Sequence, residues 1–100
     1  MVNRYVVIDL ETTGLSPERD KIIEIGAVKI ENGILMGTYS KLVNPNVEIS
    51  DRIVEITGIT SDMIKKCPFI GEVLQEFMQF VGDSIIICLL YTSDAADDKA

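Results

Sequence analysis

The chain has 100 residues, of which 47% are apolar and 25% charged, a balance that suits one soluble domain with a modest core. Its net charge of −7 has the wrong sign for a protein that clamps nucleic acid through a broad basic patch, so any such contact must be local and metal-assisted. Cys67 and Cys88 are the only cysteines and lack zinc-type spacing, which points to a reduced, cytoplasmic setting; no signal peptide is visible, and the longest apolar run, Ile85 to Tyr91, is too short to span a bilayer.

Arg4 to Leu10 reads as a first strand, nearly continuous in Val, Ile and Tyr. Two acids, Asp9 and Glu11, interrupt this run at its end. Side chains at i and i+2 of a strand project to one face, so both carboxylates point the same way and Leu10 the other. Like charges held together call for a neutralising partner, and a hard divalent cation bound by carboxylate oxygens supplies one. The competing reading is a solvated strand end. Thr12-Thr13-Gly14 turns the backbone sharply, with Gly14 expected to use a positive φ. Ser16 to Lys21 is a polar loop.

Ile22 to Glu31 is rich in β-branched residues, and Gly26 in its middle predicts a bulge or a close backbone approach. Asn32-Gly33 between strand-like runs is a strong hairpin signal. Ile34 to Val43 is the return strand, closed by Asn44-Pro45, so three strands form an antiparallel meander. The period then changes. Ile53, Ile56 and Ile59 recur at roughly helical spacing after Ser50-Asp51, and Gly58 stops or bends that helix. Thr60-Ser61-Asp62 caps a second short turn with Met63 and Ile64 inward. Pro68 opens a further helix whose broad stripe, Val73, Leu74, Phe77, Met78 and Val81, is expected to be core. Gly82-Asp83 ends it. Ser84 to Ile87 begins a fourth strand, placed parallel to the first by a right-handed crossover.

Residues 6–17 (VVIDLETTGLSP) resemble the first motif of the DEDD superfamily of 3′–5′ exonucleases. The resemblance continues collinearly through Ile22-Ile23-Glu24-Ile25-Gly26-Ala27-Val28, Val43-Asn44-Pro45 and Ile56-Thr57-Gly58-Ile59-Thr60, covering about residues 4–87. It is nearest to bacterial proofreading domains of the DNA polymerase III epsilon-subunit and PolC types, within the DEDDh branch. It implies an α/β, RNase H-like fold: a mixed sheet of three antiparallel strands and a parallel fourth, with packed helices. It also implies hydrolysis of the terminal phosphodiester at the 3′ end of a single-stranded nucleic acid, expected to be DNA, with two Mg²⁺ or Mn²⁺ ions. Asp9 and Glu11 would be catalytic metal ligands. Thr12 and Gly14 would approach the terminal nucleotide by their backbone, Leu15 would wedge against its base, and Ile56 and Thr57 would line the far side. Core packing and capping compete with function for Leu15, Ile56 and Thr57, and Glu24 reads as structural. A DNA polymerase subunit is the implied protein partner.

Two further family motifs have no counterpart here, and the histidine general base of the DEDDh branch is missing because the chain contains no histidine. Residues 88–97 instead read as an in-frame translation of a transposase sequencing adapter. The expectation is therefore that residues 1–87 form the N-terminal part of an exonuclease domain and 88–100 an adapter-like, non-native tail, the chain itself being inactive. Two alternatives come from other classes. One is a non-catalytic nucleic-acid or polymerase-binding module. The other is a haloacid-dehalogenase-like phosphatase, against which Glu11 and the Asn32-Gly33 hairpin argue.

Overall fold

In a computed structural model, residues 3–14, 16 and 18–89 are described. Four strands make one sheet: β1 (Arg4–Thr12), β2 (Ile22–Glu31), β3 (Ile34–Leu42) and β4 (Ile85–Cys88). Their spatial order is β3-β2-β1-β4. β1 to β3 form the expected antiparallel meander, and β4 joins the far side of β1 in parallel. The hairpin between β2 and β3 turns on Asn32 and Gly33, with φ of 53° and 77°. Positive φ at both central residues is what gives a two-residue turn the twist of its strands.

Between β3 and β4 lie α1 (Asp51–Thr57), α2 (Ser61–Ile64) and α3 (Ile70–Val81). Ser50 caps α1 by accepting from the Ile53 amide, and Gly58 closes it in the left-handed region at φ 76°. Thr60 caps α2 with its hydroxyl. Pro68 does not open α3; it precedes Phe69, the N-cap residue, whose side chain makes no capping bond. Asn44 ties this connection to the sheet: its amide nitrogen donates to the Pro68 carbonyl at 2.9 Å and its side chain to the Lys65 carbonyl at 3.3 Å. Val43-Asn44-Pro45 is therefore a brace between β3 and the start of α3.

The core divides in two. Val6, Ile8, Ile25 and Ala27 on one sheet face, with Val43, meet Val73, Phe77 and Val81 of α3. Ile23, Ile49, Ile59 and Ile64 form a second cluster with Leu42, Ile53 and Val54, which holds α1 and α2 at one end of the sheet. The broad α3 stripe is narrower than expected: Val73 is 1% exposed, but Leu74 is 47% and Met78 49% exposed. A single sheet face touches a helix along one line, and these two residues fall beside it. Met63, expected inward, is likewise exposed, while Ile64 is buried as expected. Gly26 marks no bulge; the ladder irregularities fall elsewhere, skipping Ile23 of β2 against β1 and Met36 of β3 against β2.

Fixed by the α3 contacts, the opposite sheet face follows from alternation: Tyr5, Val7, Asp9 and Glu11 of β1, with Glu24, Gly26, Val28 and Ile30 across the ladder. None of these eight is fully buried. At the β4 edge Ile85, Ile86 and Ile87 are all exposed.

Candidate active site

The two acids sit on that uncovered face, at the end of β1. Asp9 pairs with Gly26 and Glu11 with Glu24 in the β1–β2 ladder. Asp9 is exposed and Glu11 half-buried. The glycine opposite Asp9 presents no side chain, so nothing on β2 screens that carboxylate. Glu24 adds a third negative group directly across from Glu11, an arrangement unfavourable in a bare sheet. Even so, no three Asp, Glu, His or Cys side chains among the described residues are grouped to hold a metal ion. Two hard-oxygen carboxylates side by side nevertheless fit a hard divalent cation as part of its ligand set, the remainder coming from water or other groups.

After Glu11 the ladder slips by one residue, pairing Thr12 with Ile22. The Thr12 hydroxyl donates to the Gly14 carbonyl at 2.5 Å. Gly14 does not adopt the positive φ expected of it; its reason for being glycine is space. A Cβ there would lie 2.6 Å from the Asp20 carboxylate, a separation that real side chains do not tolerate. Leu15, expected as the apolar wedge, lies outside the described residues.

Ile56 and Thr57 end α1, at the sheet end that carries Glu24 and Glu11, because the α1 residues Ile53 and Val54 pack against the same buried cluster as Leu42, the cross-strand neighbour of Glu24. Ile56 is 47% exposed and free to meet a ligand. The Thr57 hydroxyl is committed: it donates to the Ile53 carbonyl at 2.8 Å and accepts from the Ile59 amide at 3.0 Å. That is the capping role that competed with function at this position.

The structure also holds a cavity of about 380 Å³, but it lies away from both acids, between Asp20-Lys21-Ile22, Val43 to Asn46, and Phe69-Ile70. Its lining is largely apolar with no convergent carboxylates, so the acids on the open face remain the better site. Away from both, Tyr39 on β3 donates to Glu76 on α3 at 2.7 Å, and Lys41 stands 3.6 Å from the same carboxylate. Burial, then the hydrogen bond to Glu76, pushes the Tyr39 phenol up to about 12. The bond from Tyr39, then the Lys41 charge, holds Glu76 below the usual glutamate value. This is a clasp between sheet and helix. Both cysteines are free thiols. No helix among the described residues is long and apolar enough to cross a membrane.

The sequence profile of the exonuclease family matches residues 6–92. The chain is 49% identical over 85 residues to DNA polymerase III PolC-type of Clostridium perfringens, covering 85% of this chain and 6% of that protein. It is 53% identical over 83 residues to the same polymerase of Thermotoga maritima, covering 83% of this chain and again 6% of the relative. Among solved structures it is similar to the nuclease domain of 3′hExo, a DEDDh family member bound to rAMP. There the identity is 27% and the TM-score 0.69, covering 80% of this chain and 44% of that one. The chain thus spans a small part of the length of the polymerases it matches, and its sheet and helices are those of an RNase H-like exonuclease.

Proposed function

This chain belongs to the exonuclease family, and we propose that it is the opening part of a proofreading-type 3′–5′ exonuclease, hydrolysing DNA from its 3′ end with Mg²⁺ or Mn²⁺. The observation that carries the reading is the placement of Asp9 and Glu11 together on the uncovered sheet face, with Gly26 leaving Asp9 unscreened. DNA is preferred to RNA because the relatives at about half identity are named as DNA polymerases. A polymerase is by the same token the proposed partner.

Asp9 and Glu11 would hold the ions. The chemistry such ions would supply there is Lewis-acid polarisation of a water and of the 3′ oxygen of the bond to be cleaved. The backbone of Thr12 and Gly14, with Leu15, would receive the terminal nucleotide, and Ile56 would offer apolar surface from α1. Thr57, its hydroxyl already used, would act by fixing the helix end that presents Ile56. The remaining ligands and a general base would come from the rest of the full-length protein. Residues 88–100 are proposed to be foreign to it, and sequencing the source DNA across the codon for Cys88 tests this: unbroken genomic coding to Ala100 would end that proposal.

The test of function is release of nucleoside monophosphates from 3′ ends by the full-length protein. Asp9→Asn and Glu11→Gln should each lower turnover by about a hundredfold or more at matched Mg²⁺, with the fold unchanged. Wild-type turnover in either variant would leave only the solvated strand end.

A further inference from the structure

We propose that Asp20 is a positioning residue for the 3′-terminal nucleotide, fixing the turn after β1 so that its backbone is ready to receive that nucleotide; this rests on the 3′-exonuclease reading above. One oxygen of the Asp20 carboxylate accepts from the Thr13 hydroxyl at 3.0 Å, and the other from the Ser16 amide at 2.8 Å. The Asp20 amide returns a bond to the Ser16 carbonyl at 2.8 Å. Thr13 closes the loop from its side. Its amide donates to the Lys21 carbonyl at 2.8 Å, and its hydroxyl accepts from the Lys21 amide at 2.9 Å. The same carboxylate occupies the space where a side chain on Gly14 would stand. One side chain therefore engages Thr13 and Ser16, and a side chain at position 14 would have to displace it from those bonds.

Such a network has a definite consequence. Charge-assisted bonds to a carboxylate are the stronger kind, and here they hold Thr13 and Ser16 against Asp20 at the cost of the conformational freedom of those residues. Bonds that already tie Thr13 and Ser16 to Asp20 spare the ligand part of that ordering on binding. The acids are held differently: Asp9 and Glu11 are set by the β1–β2 ladder, upstream of the turn. Loss of Asp20 should therefore weaken capture of the strand end without dismantling the group that carries the chemistry. That is a rise in KM with kcat retained.

The experiment compares Asp20→Ala, Thr13→Val and Thr13→Ser in the full-length protein. Steady-state release of nucleotide from single-stranded DNA gives KM and kcat. In an Asp9→Asn background, anisotropy gives the affinity for linear against circular single strands, which isolates recognition of an end from cleavage. Asp20→Ala should raise KM about tenfold, leave kcat within about threefold, and erase the preference for linear DNA. Thr13→Val should act in the same direction and add less than its full effect to Asp20→Ala, because the Thr13–Asp20 bond is lost in either, whereas Thr13→Ser should behave as wild type. An unchanged linear preference in Asp20→Ala overturns the proposal. So does a fall of kcat in step with the thermal midpoint, which would make Asp20 structural alone. Absence of nucleotide release by wild type would instead strike the exonuclease reading, while the anisotropy still reports on Asp20.

Discussion

Asp9 and Gly26 face each other across the β1–β2 ladder, and a Cβ on Gly26 would sit at ordinary contact distance, 3.6 Å, from the Asp9 carbonyl. The fold itself therefore does not require glycine there, since neither a positive φ nor a clash excludes a side chain. What glycine leaves is open ground beside the Asp9 carboxylate. Gly26→Val should raise stability, by up to about 1 kcal/mol from strand propensity and unfolded-state entropy, and lower nuclease turnover by covering Asp9. Thermal denaturation and nucleotide release, measured together on the full-length protein, check it. Higher stability with undiminished turnover would show that Gly26 has no part in the site.

The Tyr39–Glu76 clasp predicts a dependence on pH at both extremes. Tyr39 has a raised value in the fold, so its contribution is complete below pH 10 and is lost as pH rises from 10 through about 12. Glu76 has a lowered value, so its contribution is complete above the ordinary glutamate value of 4.5 and is lost as pH falls through the depressed one. Tyr39→Phe keeps the ring, which packs at 5.3 Å from Phe77 and 5.6 Å from Phe80 between centroids, and deletes the proton. Its thermal midpoint should lose the alkaline dependence between pH 10 and 12 that wild type shows. An identical alkaline slope in both proteins would remove Tyr39 as its source.

Where α3 meets the sheet, neighbouring apolar residues should differ sharply. Phe77 is buried against Tyr39 and Phe80, and Phe77→Ala should cost about 3–5 kcal/mol, much of a small domain's stability. Leu74→Ala, at a half-exposed position, should change stability by about 0.5 kcal/mol or less. Denaturant midpoints at constant slope test the pair. Equal losses would mean that Leu74 is covered in solution by something else.

Much of this architecture was legible before any coordinates. Asn32-Gly33 demanded a tight hairpin because only residues tolerant of positive φ make that turn, and the β-branched runs on each side supplied its strands. The spacing of Asp9 and Glu11 placed both acids on one face, and strand geometry alone guarantees it. Gly58 announced the end of α1. The burial of α3 was less readable, since Leu74 and Met78 carry the same apolar signal as Val73 and Phe77. Only the number of layers around a helix decides which of them are covered. Gly14 misled for a similar reason. Glycine serves both positive φ and close approach, and the intruding group, the Asp20 carboxylate, is six residues away across a loop without periodicity. Its one trace in sequence is an acid closing a polar loop that opens with threonines.

The exposed isoleucines of β4 carry the remaining prediction. β4 is the edge of the sheet, and Ile85, Ile86 and Ile87 are 46%, 46% and 42% exposed with no charge among them. An uncharged, apolar edge is a template for strand pairing between molecules, and natural edges are usually protected by lysine, proline or a covering element. Beside it the face bearing Tyr5, Val7, Val28 and Ile30 is not fully buried either, which adds apolar area to the same side. The isolated 100-residue chain should therefore self-associate, or unfold without a cooperative transition. Lysine at Ile85 or Ile87, whose side chains share the face of Tyr5 and Val7 by their pairing in the ladder, should shift it toward monomer. Sedimentation velocity across a tenfold concentration range reads the difference. A wild-type chain that stays monomeric and melts sharply would mean that the edge is already shielded, and that the lysine variants have nothing to correct.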